Sequence, residues 1–223
     1  MTQDEVKGLV ARRAVEFVRD GMVVGLGTGT TATFFIHELA ARALKIRCVA
    51  SSDASHDLAL SLGMRVETLA ELPELDVYID GADEVGPGLA LIKGGGGALL
   101  REKIVASAAK EFIVVADSTK LVKVLGKFPL PVEVIKMALP LVEPRLAALG
   151  LNPKLRRAKN GDEPYLTDEG NYILDCACGT IEDPEVLAAE IRSIVGVVEH
   201  GLFLGMATLA LVAGEDGVTE IRP

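Results

Sequence analysis

The sequence predicts an α/β protein built on an open, mostly parallel sheet, with a smaller α+β second domain. Three observations predict it. Short β-branched runs alternate with stretches of helical apolar spacing over about the first 120 residues, the rhythm of repeated βα units. Polar and glycine-rich segments fall where these runs end, at the carboxyl edge where open α/β sheets bind ligands. Aromatic residues make up only 4% of the 223 and Trp is absent, so a chain that is 49% hydrophobic must build its core from Val, Leu, Ile and Ala. Those residues suit strands buried on both faces.

Thr2 and Glu5 form a capping box, and Val6, Leu9, Val10, Ala14, Phe17 and Val18 keep helical spacing up to Asp20-Gly21. Met22 to Val24 reads as a buried strand that feeds a Gly/Thr loop, and residues 32–44 are again helical in pattern. Ile46 to Ala50 is the next strand. Ser51 to Ser55 is a polar loop and cap, and Leu58, Leu60 and Leu62 lie in a short helix closed by Gly63. Residues 65–69 are expected as a short strand, and Leu75 to Ile79 as a strand ending at Asp80. A helix over 98–110 leads to a strand over 112–116, which ends at Asp117-Ser118-Thr119-Lys120. The expected sheet is open and Rossmann-like.

Near Gly126 the texture changes. Residues 128–134 are extended and limited by prolines. Pro140 can start a helix that runs to Gly150. Residues 152–160 are basic, and 165–167, the turn 168–170 and 171–177 suggest an antiparallel hairpin. Asp183 caps a helix begun by Pro184, and 197–203 is a further strand. Strands at 207–212 and 218–221 return to the first domain or to a linking sheet. The expected domains are therefore 1–127 plus 205–223, α/β and catalytic, and 128–204, α+β and available as an oligomer interface.

A net charge of −9 disfavours bulk nucleic-acid binding, which needs a basic face. Cys48, Cys176 and Cys178 are too few for a disulfide scaffold and point to a reducing compartment. The opening MTQDEVKGL lacks the layout of a signal peptide, and no apolar run approaches the ~18 residues of a spanning helix. The expectation is a cytoplasmic protein with neither nucleic acid nor membrane as partner.

Two stretches carry chemistry. In the first, Thr28, Gly29, Thr30 and Thr31 lie between a strand and a helix N-terminus, where amides and the helix dipole favour an anion such as phosphate. A tight turn with helix-capping threonines is the alternative. The dinucleotide fingerprint fails at Thr30, where glycine is needed, and no convincing acidic residue follows; the P-loop pattern fails as well. A nucleotide-binding oxidoreductase is thereby excluded.

The second stretch runs from Asp80 to Glu102. One apolar run delivers Asp80 and Asp83 into a turn, and another delivers Lys93. Gly94, Gly95, Gly96 and Gly97 then open a helix bearing Arg101, Glu102 and Lys103. Glu102 is the first candidate for a general base, since burial raises a carboxyl toward a useful pKa. Its bland alternative is an exposed partner for Arg101. Glycine amides and Lys93 suit a developing oxyanion, and Asp80 and Asp83 suit sugar hydroxyls. The same carboxylates could hold magnesium, but Lys93 supplies a cation of its own. His37, His56 and His200 form no ligand motif, with His37 and His56 on helix surfaces and His200 in a strand. Cys176 and Cys178 share a strand face as small hydrophobes. The 154–159 basic run reads as a solvated face.

GLGTGTTA at 25–32, SSDAS at 51–55, DGADE at 80–84, KGGGGALLREK at 93–103, ADSTK at 116–120 and GKFPLPVEV at 126–134 together resemble the ribose-5-phosphate isomerase A family over nearly the whole chain. The resemblance implies interconversion of ribose 5-phosphate and ribulose 5-phosphate through an enediol or enediolate, in the non-oxidative pentose phosphate pathway, with no metal and no organic cofactor. It implies Glu102 as the base between carbons 1 and 2, Asp80 in ring opening and hydroxyl proton transfer, and Asp83 on sugar hydroxyls. Lys93 and the amides of Gly94 to Gly97 are the implied oxyanion stabilisers. Phosphate is expected near Lys7, Thr28, Gly29, Thr30, Thr31 and Lys120, and the assembly is expected to be at least a homodimer. Readings left open are another sugar-phosphate enzyme, such as a deaminase or an acyl-CoA-type transferase, and a non-catalytic sugar-phosphate sensor.

Overall fold

Helix α1 (Gln3–Ala14) starts where the sequence places its capping box: the Thr2 hydroxyl accepts from the Glu5 amide and the Glu5 carboxylate accepts from the Thr2 amide. Such a cap contributes about 1 kcal/mol. The computed structural model describes residues 1–159 and 161–223; Asn160, the last residue of the basic run, lies outside them. The chain divides into two units. Met1–Ala82, Arg101–Leu121 and Gly205–Pro223 form the first, and Asp83–Leu100 with Val122–Leu204 the second.

The α/β rhythm appears as read. After α1 come β1 (Val23–Leu26), α2 (Thr30–Ala41), β2 (Arg47–Ala50), α3 (Asp53–Ser61) and β3 (Leu75–Gly81). Residues 65–69 form no strand; Val66 makes one isolated parallel bridge to Cys48. Next are β4 (Glu84–Val85), β5 (Leu91–Ile92), α4 (Leu99–Ser107) and β6 (Ala109–Asp117). Helix α4 is thus shorter than expected, and the strand takes over Ala109 and Lys110 because Leu75 and Ala109 are already in parallel register.

The later part runs β7 (Leu130–Val134), α5 (Leu139–Ala148), β8 (Asn152–Leu155), β9 (Tyr172–Ala177), α6 (Pro184–Ser193), β10 (Val197–His200), β11 (Leu202–Phe203), β12 (Leu209–Gly214) and β13 (Gly217–Ile221). The expected 165–177 hairpin does not form. Strand β9 pairs antiparallel with β7 and β8, and 156–171 becomes their connection. The single strand expected over 197–203 breaks at Gly201 into β10 and β11, which join different sheets.

In the first unit the sheet order is β13-β12-β6-β3-β1-β2. All neighbours are parallel except the edge strand β13. The order reverses at β1, whose chain continues to β2 on one side and then to β3 on the other. The carboxyl ends of β1 and β3 therefore flank the switch point, the standard ligand crevice of open α/β sheets. Val24, Leu26, Ile79, Leu211 and Ala213 are fully buried there, with Phe35, Ile36 and Leu39 of α2. No helix among the described residues is long and apolar enough to cross a membrane.

The second unit holds a four-stranded sheet, β10-β7-β9-β8, and a three-stranded one, β11-β5-β4. Val132, Val134, Leu174 and Cys176 pack with Val142 and Leu146 of α5 and Ile191 of α6. Asp183 caps α6 by accepting from the Val186 amide, and Pro184 occupies its first turn, as read.

Candidate active site

In the first unit, β3 carries Asp80 to the switch point and buries it completely. Its Oδ1 accepts from the amides of Thr28 (2.9 Å) and Gly81 (2.7 Å), and its Oδ2 accepts from the Tyr78 hydroxyl. The loop after β1 must come close to do this. A Cβ on Gly27 would stand 2.2 Å from Asp80 Oδ1 and 2.6 Å from its Cα, so only glycine fits. Tyr78 is stacked on Phe112 at 5.0 Å. Burial first, then the negative charges of Asp80 and Glu102, push the Tyr78 phenol well above its usual range, so it stays a proton donor. That influence also places Glu102 in the electrostatic neighbourhood of Tyr78.

Glu102 sits in the first turn of α4 and is 3% exposed. The exposed-partner alternative fails: Arg101 reaches out to Asp53 at 2.6 Å, while Glu102 turns into the protein. Asp53 is exposed at the start of α3 in that ion pair.

The Gly/Thr loop separates into two jobs. Thr28 is held from within, its hydroxyl 2.9 Å from that of Ser51, which itself donates to the Leu26 carbonyl. Gly29 takes φ +94° as the N-cap of α2, and no side chain caps that helix. The capping-threonine alternative is therefore not what forms. Thr30 is exposed and Thr31 half-buried, with the Thr31 Cβ 4.0 Å from where a Cβ on Gly81 would stand. Lys7 lies on α1, its side chain 17% exposed and 4.0 Å from Asp4. Helix α1 packs on α2, β6 and β12. Lys120 closes the short turn after β6, which Asp117 caps by accepting from the Thr119 amide.

In the second unit, β5 delivers Lys93 into burial, 2% exposed, with Nζ 5.5 Å from the centroid of the Phe203 ring. Its amide donates to the Gly201 carbonyl. Asp83 donates its own amide to Ile92, and its Oδ2 accepts from the Gly95 amide at 2.7 Å. The glycine turn is not a uniform row of donors. The Gly95 amide is taken by Asp83 and the Gly97 amide by the Gly94 carbonyl at 3.0 Å. The amides of Gly94 and Gly96 have no partner among the described residues. Gly97, at φ +92°, would place a Cβ 2.2 Å from the Tyr165 hydroxyl.

Two residues that sequence reasoning did not single out organise this unit. Glu84, 2% exposed, accepts from the amides of Gly126 (2.8 Å) and Phe128 (2.5 Å), fastening the GKFPLP segment to β4. Arg156 belongs to the run read as a solvated face, yet its side chain is only 13% exposed and holds Asp175, Gly94 and Gly95 together. Nothing in the basic run 154–159 marks Arg156 off from its neighbours; only its place directly after β8 does. His37 and His56 are exposed on helices and His200 is buried at the end of β10. Cys176 is buried and Cys178 half-buried, and burial pushes both thiols up; Cys48 is pushed up to about 12 by the same cause. All three thiols stay protonated and unreactive near neutral pH.

Fold and site together define an α/β enzyme of the open-sheet type, suited to a small anionic molecule. Within that class the chain belongs to the ribose 5-phosphate isomerase A (phosphoriboisomerase A) family, whose model matches residues 47–217. It is 53% identical over 218 residues to ribose-5-phosphate isomerase A of Roseiflexus sp. (strain RS-1), covering 95% of this chain and 93% of the relative. It is 49% identical over 229 residues to that of Caulobacter vibrioides (strain NA1000 / CB15N), covering 100% of both. The ribose 5-phosphate isomerase A structure from Methanocaldococcus jannaschii matches with a TM-score of 0.95 and 42% identity over 100% of each chain. A D-ribose-5-phosphate isomerase solved in complex with phospho-erythronic acid matches with a TM-score of 0.97 and 38% identity, again over 100% of each.

Proposed function

We propose that this protein interconverts D-ribose 5-phosphate and D-ribulose 5-phosphate through an enediolate, with Glu102 as the base. The observation that carries the reading is the burial of Glu102 (3% exposed) in the neighbourhood of Tyr78 and Asp80, at the strand ends of a member of this family. A carboxylate kept from bulk water is the kind of base such a proton transfer uses.

In the forward direction Glu102 takes the proton from carbon 2 of the open-chain aldose. The C–H electron pair forms the C1–C2 double bond, and the carbonyl electrons move onto O1. Lys93 and the partnerless glycine amides stabilise that oxyanion. Returning the proton to C1 while the 2-hydroxyl proton passes to O1 leaves a carbonyl at C2 and a hydroxyl at C1, the ketose. Asp80, fixed by two amides and the Tyr78 phenol, handles a hydroxyl proton during ring opening, and Asp83 holds sugar hydroxyls. The uncapped N-terminus of α2 with Thr30 and Thr31, and the cations Lys7 and Lys120, take the phosphate. The substrate is a small sugar phosphate, and the protein acts as a homo-oligomer, at least a dimer. The proposed location is the cytoplasm.

The test is solvent exchange at carbon 2 of ribose 5-phosphate in deuterated water, on metal-stripped protein, with ketose formation followed in parallel. Ketose with deuterium in the recovered aldose is the expected result. Binding without exchange or turnover would instead mean a sensor. In the same assay Lys120→Ala is expected to raise KM by about tenfold with kcat within about twofold, because a phosphate contact contributes mainly uniform binding. An unchanged KM and an unchanged response to inorganic phosphate would remove Lys120 from the phosphate site.

A further inference from the structure

The carbonyls of Gly94, Gly95 and Gly96 all point to side chains from one loop. Arg156 Nη1 donates to Gly94 O at 2.9 Å and Gly95 O at 3.3 Å, and the Tyr165 hydroxyl donates to Gly96 O at 3.3 Å. Arg156 is itself fixed: Nε and Nη2 grip the Asp175 carboxylate at 2.9 and 2.5 Å, and the guanidinium carbon lies 5.8 Å from the centroid of the Tyr165 ring. The loop closes on itself, since the Tyr165 amide donates to the Arg156 carbonyl at 2.9 Å.

A planar trans peptide points its C=O and the following N–H in opposite directions, and none of the described peptides is cis. Holding the Gly94 carbonyl therefore aims the Gly95 N–H away from Arg156, and it meets Asp83. Holding the Gly95 carbonyl likewise aims the Gly96 N–H away from Arg156, and that amide has no partner among the described residues. A cation on the carbonyl also polarises the same peptide, making its N–H a better donor.

We infer that Arg156, with Tyr165 beside it, is a positioning residue for the isomerase reaction: it sets the direction of the Gly96 amide toward the developing oxyanion and anchors Asp83 through Gly95. This rests on the isomerase reading. Arg156 touches no reacting atom in this role. Lysine cannot replace it, because one ammonium cannot grip Asp175 in a fork and reach two carbonyls as well.

The experiment compares wild type, Arg156→Lys and Tyr165→Phe. Each is measured for kcat, KM and inhibition by two ligands. Phospho-erythronate carries a charged carboxylate where the enediolate carries its oxyanion; ribitol 5-phosphate carries only a neutral hydroxyl there. Arg156→Lys is expected to lower kcat about 10- to 100-fold with KM within about threefold, since a misdirected oxyanion donor costs the transition state and not the ground state. It is expected to weaken phospho-erythronate at least about tenfold while ribitol 5-phosphate changes less than about threefold. Tyr165→Phe, which removes one hydroxyl from a partly exposed ring, should shift the same ratio in the same direction by about threefold. A merely structural loss would weaken both ligands together. If wild type isomerises and both variants keep its acid-to-polyol ratio, the role of Arg156 is overturned and the isomerase reading stands. If wild type itself does not isomerise, both fall.

Discussion

Glu102→Gln is expected to lower kcat by roughly three to four orders of magnitude, the upper part of what a positioned general base contributes. KM should change little. The substitution keeps the shape of a side chain that is 3% exposed in the first turn of α4, so the fold has no reason to adjust. What disappears is the basic lone pair that accepts the carbon-bound proton. Solvent exchange at carbon 2 must fall in parallel with ketose formation, because one proton transfer underlies both. Glu102→Asp is informative in the other direction. It keeps the charge but withdraws the carboxylate by one methylene, and misplacement by about 1 Å costs on the order of 100-fold. Its rate should therefore lie between those of wild type and Glu102→Gln. Glu102→Gln retaining even a tenth of wild-type kcat would remove Glu102 as the base and move attention to Asp80 or Asp83.

How far the chain was legible depended on whether the cause was local. The capping box at Thr2 and Glu5, the cap at Asp183 and the βα rhythm of the first unit all rest on residues within one turn or one strand of each other, and they form as read. The motifs around Asp80 and Glu102 announced a polar edge because strand ends and glycine loops are visible as composition. Pairing was not visible in this way. Residues 165–177 carried turn signals for a hairpin, but the stronger partners of β9 were β7, about 40 residues upstream, and β8, whose apolar positions share a core with it. The four glycines looked alike as letters. Only the fold divides them, since Asp83 takes one amide, a turn takes another, and Arg156 and Tyr165 hold three carbonyls. Arg156 itself was hidden by its neighbours, because a charge run has no marker for the one member that turns inward. Glu84 was hidden differently. Its partners are backbone amides more than 40 residues away, and amides leave no trace in side-chain patterns.

Lys93→Met should give the second large effect, a fall in kcat of roughly 100- to 1000-fold, the magnitude seen when a buried stabiliser of a developing oxyanion is removed. Methionine keeps the length and most of the volume of the aliphatic stem, so packing in the 2% exposed site and against Phe203 is preserved and only the charge is lost. The distinction that matters is between a lysine that binds sugar phosphate and one that meets charge formed during the reaction. A binding lysine would raise KM and weaken every ligand. A transition-state lysine would leave ribitol 5-phosphate within about threefold and weaken phospho-erythronate more than about tenfold, because only the acid presents a negative charge at the position of the oxyanion. Lys93→Ala offers a complementary route, since the missing stem opens space for a small alkylamine, and added ethylamine should restore part of kcat with saturation. Glu102→Gln and Lys93→Met should also be far from additive. Once no proton is removed from carbon 2, no oxyanion forms for the lysine to stabilise, so the double variant should be little slower than Glu102→Gln alone. Additive losses would place the two side chains in separate steps, and an unchanged kcat in Lys93→Met would leave oxyanion stabilisation to the glycine amides that Arg156 directs.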